Sequence, residues 1–338
     1  MRAVRFERAH DLHVVDASLR TVREGEVLVK VEACGICGTD VHIVEGVSRS
    51  TPPIVLGHEY AGVVEECGSA VQGLAPGDYV AVDPNISCGT CYYCRRGLVH
   101  LCANLRALGV DIDGGMAEFS LVPAAQAYRL PKEMPHELAP FVEPVSCAVH
   151  GIDKANIHAG DTVVIIGGGT IGLVMMQLAR NAGSSHILVL EPIGHKRAMA
   201  RTLGADAVLD PGMVGAEEAV HDFVGVGADV VIDCAGKAET ARSAIQFARR
   251  GGTVELFGVA PIGQTIPVEP NRVYFKELTI VGSYVNPNTF DRAIAVLASG
   301  RVRFDGFPIT RFPLEGIHDA LQAQAEGRTM KCIIQPHS

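Results

Sequence analysis

Between about Gly160 and Gly282, apolar runs of strand length alternate with segments of helical period, and this alternation restricts the chain more than any other feature. The candidate strands are 163–166, 187–190, 207–209, 230–233, 253–257 and 279–282, with helical segments such as 171–181 and 195–203 between several of them. Alternation of this kind builds an α/β domain on a doubly wound parallel sheet, because each crossover helix must cover a face of the sheet.

The first 125 or so residues have a different texture. Short runs with a two-residue period, such as Val27-Leu28-Val29-Lys30-Val31, are punctuated by Gly and Pro. Pro76-Gly77-Asp78 before Tyr79-Val80-Ala81-Val82 reads as a turn into a strand. This half is β-rich, and its loops carry most of the potential ligands. After Pro287 an amphipathic helix at Phe290–Ala298 leads into a mixed tail expected to rejoin the first domain. The expected division is therefore 1–150 with 287–338 for one domain and 151–286 for the other.

A length of 338 residues suits two domains, and 48% apolar with 20% charged residues excludes a disordered, collagenous or coiled-coil chain. The formal net charge of -9 argues against nucleic acid or an anionic membrane as partner. The N-terminal MRAVRFERAHDLHVVD carries charge throughout and lacks the apolar core of a secretion signal. The uncharged stretch 162–179 contains Gly167, Gly168 and Gly169, which would weaken a membrane-spanning helix by roughly 1 kcal/mol each. A strand, a turn and a helix explain it better. Ten cysteines without a secretion signal read as thiols or metal ligands of a cytoplasmic protein rather than disulfides.

Gly167-Gly168-Gly169-Thr170-Ile171-Gly172 fits G-x-G-x-x-G between a strand and a helix, the context a dinucleotide turn requires. Gly167 permits the tight turn, Gly169 admits the pyrophosphate, Ile171 opens the helix, and Gly172 allows close packing of helix and sheet. The helix N-terminus offers N–H donors to the phosphates. Glu191, at the end of the next strand, suits the adenosine ribose diol and should repel a 2′-phosphate, favouring NAD over NADP. Lys196 and Arg197 stand close enough to temper that preference, and Lys196 is counted among the cofactor contacts.

Cys88-x2-Cys91-x2-Cys94-x7-Cys102 is the strongest ligand signal. Four thiolates close a tetrahedral zinc site with no open position, so its role is structural. A second set consists of Cys37 in Gly35-Ile36-Cys37-Gly38-Thr39-Asp40-Val41-His42, then Gly57-His58-Glu59, then Glu143-Pro144. Cys, His and a carboxylate suit an open catalytic zinc. One thiolate, one imidazole and one carboxylate neutralise the ion, whereas a second carboxylate would disfavour an alkoxide there. Glu59 and Glu143 are therefore not expected to bind together during turnover, and which of them binds directly stays open. Cys34 and Cys147 read as core residues.

Through GICGTDVH, GHEYAGVV, the four-cysteine lobe, FVEPVSCAVH, VVIIGGGTIG and SYVNPNTFDRAI, the chain resembles the zinc-dependent medium-chain dehydrogenases along essentially its whole length. Within them it resembles the branch of polyol (sorbitol, xylitol, arabinitol) and threonine 3-dehydrogenases. The resemblance implies a GroES-like catalytic domain beside a Rossmann domain, NAD, and two zinc ions per subunit. It implies catalytic zinc at Cys37, His58 and an acid, a proton path through Thr39 and His42, and Tyr284 near the nicotinamide or substrate. It also implies a small-molecule polyol substrate and a homo-oligomer, either dimer or tetramer. L-threonine, or another sugar or cyclitol, is the alternative substrate.

Overall fold

The computed structural model describes all residues from Met1 to Ser338. The chain forms two compact units: Met1–Ser146 with Asn286–Ala298 and Phe307–Ser338, and Cys147–Val285 with Ser299–Gly306. No helix is long and apolar enough to cross a membrane.

In the first unit the strand Glu26–Gly35 organises a seven-stranded sheet. Its inward positions Val27, Val29 and Val31 are buried, as period-two alternation demands. Along one edge it pairs antiparallel with Glu59–Cys67, setting Gly35 opposite Glu59. Near its end the C-terminal strand Lys331–Ile334 also pairs antiparallel, with Ile333 opposite Gly35. The tail thus returns to the first unit. One part of it does not. Ser299–Gly306 belongs to the second unit, contrary to the expected 287–338 return. Polar side chains account for this: Gln177 Nε2 donates to the Arg303 carbonyl at 3.1 Å, the Arg303 amide donates to Gln177 Oε1 at 2.9 Å, and Asn181 Nδ2 donates to the Arg301 carbonyl at 3.1 Å.

The second unit holds a six-stranded parallel sheet in the order Ala207–Leu209, His186–Leu190, Thr162–Ile166, Ala228–Asp233, Ala248–Leu256 and Thr279–Gly282. Chain order reverses beside Thr162–Ile166, which makes the carboxyl end of that strand the switch point where ligands bind in such sheets. Its inner strands are apolar on both faces because helices cover both. The strand expected at 253–257 begins earlier, at Ala248, and a register shift against Ala228–Asp233 separates Ala248 from Thr253.

Candidate functional site

Two features of the second unit shape its glycine turn. Gly167 adopts φ +101°, a conformation glycine reaches without strain, directly after Thr162–Ile166. A Cβ on Gly172 would lie 1.8 Å from the Gly167 carbonyl oxygen, so only glycine lets helix Thr170–Ala182 start this close to the strand. Gly169 is the N-cap of this long helix, whose positive N-terminal end favours an anion at the turn. Glu191 is buried: Oε2 accepts the Gly168 amide at 2.7 Å and Oε1 accepts the Ile193 amide at 2.9 Å. Arg197 is drawn away to the Glu191 carbonyl and to Asp210, at 2.7 and 3.0 Å, while Lys196 is half-buried on the following helix. Tyr284, just past the last strand, is 55% exposed.

In the first unit the four-cysteine lobe is a loop clasped at its base by the short pair Asn85–Ile86 and Arg106–Ala107. The sulfur atoms of Cys88, Cys91, Cys94 and Cys102 lie within 4.8 Å of one another, and all four cysteines are free of disulfides. Backbone amides of Cys88 and Asn104 point at Cys102 Sγ, both at 3.3 Å. Amides from Thr90 and then Cys91 pull the Cys88 thiol down to about 5. Sulfurs brought this close, with the Cys88 and Cys91 thiolates favoured by backbone donors, fit a structural zinc ion.

The second donor set assembles from two segments. Cys37 is the N-cap of the helix Gly38–Val44, and His58 and Glu59 stand at the start of Glu59–Cys67. Their ligand atoms also lie within 4.8 Å of one another. Asp40, in the helix's first turn, is fully buried, and its Oδ2 accepts the Cys37 amide at 2.8 Å. Its Oδ1 lies 3.5 Å from His58 Nδ1. Burial acts to lower the His58 pKa, but Asp40 and Cys37 overcome it and hold the value well above the ordinary one. A carboxylate behind a ligand imidazole fixes its orientation and leaves the other nitrogen for a metal. Glu59 is ion-paired to Lys331 from the C-terminal strand, and both are buried. The pair lies directly over Gly35: a Cβ there would come 2.5 Å from Glu59 Oε2 and 2.8 Å from Lys331 Cε, so a larger residue would displace the two charged ends. The set of thiol, imidazole and carboxylate fits an open zinc site.

Glu143 is buried in the first turn of the helix Val142–Ala155 and does not join Cys37, His58 and Glu59 within that distance. Thr39 Oγ1 lies 3.6 Å from Cys37 Sγ, and His42 is exposed at the last turn of the same short helix. Cys34 is fully buried against the glycine that precedes His58, and Cys147 is half-buried. Reading the sequence missed two residues. Asp40 was legible in principle, as an acid three positions after a helix-capping cysteine. Lys331 was not, because 272 residues separate it from Glu59.

The pattern of the alcohol dehydrogenase GroES-like domain matches residues 23–132, and that of the zinc-binding dehydrogenases matches residues 170–299. D-arabinitol dehydrogenase 1 of Uromyces fabae is 33% identical, covering 100% of this chain and 97% of that protein. L-threonine 3-dehydrogenase of Pyrococcus horikoshii is 37% identical, covering 91% and 90%. A Sinorhizobium meliloti crystal structure, described as a zinc-binding dehydrogenase bound to NADP, superposes with a TM-score of 0.94 at 42% identity over 99% of both chains. With both halves matched in order and relatives alike along nearly their whole length, the chain belongs to the zinc-dependent medium-chain dehydrogenases, an oxidoreductase family that uses a dinucleotide cofactor.

Proposed function

We propose that this protein reversibly oxidises a secondary hydroxyl of a polyol or sugar alcohol to the ketose, using NAD. The observation that carries the reading is the donor set Cys37, His58 and Glu59, set among the buried charges of Asp40 and Lys331. Surroundings this polar suit a substrate whose reacting carbon is flanked by further hydroxyls better than an apolar alcohol. The full-length relative named for D-arabinitol supports the same substrate class.

Cys37 and His58 with one acid, Glu59 or Glu143, would hold the catalytic zinc, and Cys88, Cys91, Cys94 and Cys102 a structural one. The bound groups supply a Lewis acid that lowers the pKa of a substrate hydroxyl and a nicotinamide that accepts hydride. The chain's own residues supply the rest. Thr39 accepts the hydroxyl proton and His42, exposed one helical turn later, passes it to solvent. Asp40 keeps the His58 ring oriented. Gly167, Gly169, Ile171 and Gly172 bind the pyrophosphate, Lys196 stands at the adenosine side, and Tyr284 faces the nicotinamide or substrate. The Glu191 carboxylate favours a free ribose diol and hence NAD. The open edge of Thr279–Gly282, with Ile280 exposed, suits pairing with a second copy, giving a homo-oligomer in the cytoplasm.

A second reading, oxidation of L-threonine, is favoured by the relatives of that name. Following absorbance of the reduced nicotinamide over a panel of polyols, aldoses and L-threonine, with NAD and NADP, separates the two. The highest kcat/KM is expected for a polyol with NAD, together with two zinc ions per chain. Activity confined to L-threonine overturns the polyol reading, and full activity with zinc in the four-cysteine lobe alone overturns the assigned centre.

A further inference from the structure

We propose that Asn286 is a positioning residue for the reaction, holding in place, through Ser146, the helical turn that carries Glu143. The inference rests on the reading of Glu143 as an acid of the metal centre. Ser146 is the last residue of the first unit before the chain passes into the second, and Asn286 is the first residue on its return. Within the first unit these two points are bonded to each other. Asn286 Nδ2 donates to Ser146 Oγ at 2.9 Å, and Ser146 Oγ donates to the Glu143 carbonyl at 2.6 Å. Thr289 Oγ1 donates to the Ser146 carbonyl at 2.7 Å.

Asn286 is itself gripped from behind. Its Oδ1 accepts Asn85 Nδ2 at 2.6 Å, and its Nδ2 also reaches Asp83 Oδ1 at 3.3 Å. Asp83, Ser146, Asn286 and Thr289 are all buried, so every bond lost here would leave a polar atom without water to replace it. A fully satisfied buried network fixes geometry in a way that apolar packing of the same volume does not. The return segment shows the same over-determination. Val285 sits at φ +47° and Asn288 at φ +55°, and a β-branched residue in that region persists only where its surroundings hold it. The bends aim the Asn286 carboxamide at Ser146, one helical turn from Glu143, while neither Asn286 nor Ser146 carries chemistry of its own.

The test is a double-mutant cycle on the full-length protein with the four-cysteine lobe filled by zinc and the second centre titrated with cobalt(II). Asn286→Ala is expected to weaken cobalt binding at that centre by about 10-fold or more, the usual scale for outer groups that orient a ligand. Its ligand-field absorption should shift, while KM for NAD stays within about two-fold. Glu143→Gln should show the same signature, and Asn286→Ala added to it should cost nothing further. Ser146→Ala, which deletes one hydroxyl, reports the same coupling should Asn286→Ala fail to fold. Additive losses, or wild-type cobalt binding in both Asn286→Ala and Ser146→Ala while Glu143→Gln is impaired, overturn the positioning role alone. Wild-type cobalt binding in Glu143→Gln overturns the metal-centre reading of Glu143, and this proposal with it.

Discussion

Lys331 is the buried counter-ion of Glu59, delivered to it across Gly35 by the C-terminal strand. Burial works to lower the Lys331 pKa, yet Glu59 first and then Cys37 hold it above the ordinary lysine value. The pair changes the charge balance of the donor set. Counted from its ligands alone, a divalent ion is neutralised by Cys37 and one carboxylate. With Asp40 and Lys331 included, the Cys37 thiolate, two carboxylates, one ammonium and a divalent ion again balance, and Lys331 neutralises Glu59 whichever acid meets the ion.

Replacing Lys331 by Met strands a buried carboxylate, a change that typically costs roughly 3–5 kcal/mol. Lys331→Met combined with Glu59→Gln should lose much less. Chemical unfolding of the metal-free protein measures both. Losses that simply add would show that the two side chains are not coupled.

His42→Ala should lower turnover by about 10²-fold, the ordinary scale for a group that relays a proton, with little change in dinucleotide binding. The pH dependence of kcat is the more discriminating measurement. A profile superimposable on that of the wild type would exclude His42 from the proton path.

Glu255 lies fully buried in the strand Ala248–Leu256, and neither carboxylate oxygen has a hydrogen-bond partner. Burial, opposed only by Lys154, pushes its pKa from 4.5 to about 8. The native state therefore keeps a proton that the unfolded chain gives up at a lower pH. Stability from this group falls as pH rises through the window between those two values and is flat above it. Glu255→Gln removes that dependence. Its advantage over wild type should be absent near pH 4, grow across the window, and reach ~1 kcal/mol or more by pH 8. Parallel stability curves for the two proteins would contradict the assignment.

Glu191→Gln keeps the side chain's length and one acceptor for the backbone while removing its charge. The ratio of kcat/KM for NADP to that for NAD should rise by about 10-fold or more, since like charge at a binding site costs several kcal/mol. An unchanged ratio would place the choice of cofactor elsewhere, with Lys196 and its neighbours.

Local order carried much of this molecule into the sequence. The parallel-sheet strands, the glycine turn and the four-cysteine spacing are contiguous, and hydrophobic period, backbone freedom and ligand reach all act over a few residues. Cys37 with His58-Glu59 was legible for a related reason, as two short segments each carrying a donor. What remained hidden depends on register between distant segments. Nothing near Lys331 marks it as the partner of Glu59; only antiparallel pairing through Gly35 brings them together. The same holds for Asn286 against Ser146, and for Ser299–Gly306, which leaves its sequence neighbours because Gln177 and Asn181 offer it hydrogen bonds. Periodicity and spacing report what a residue can do, whereas its counter-charge and its hydrogen-bond partners are settled only when the chain closes on itself.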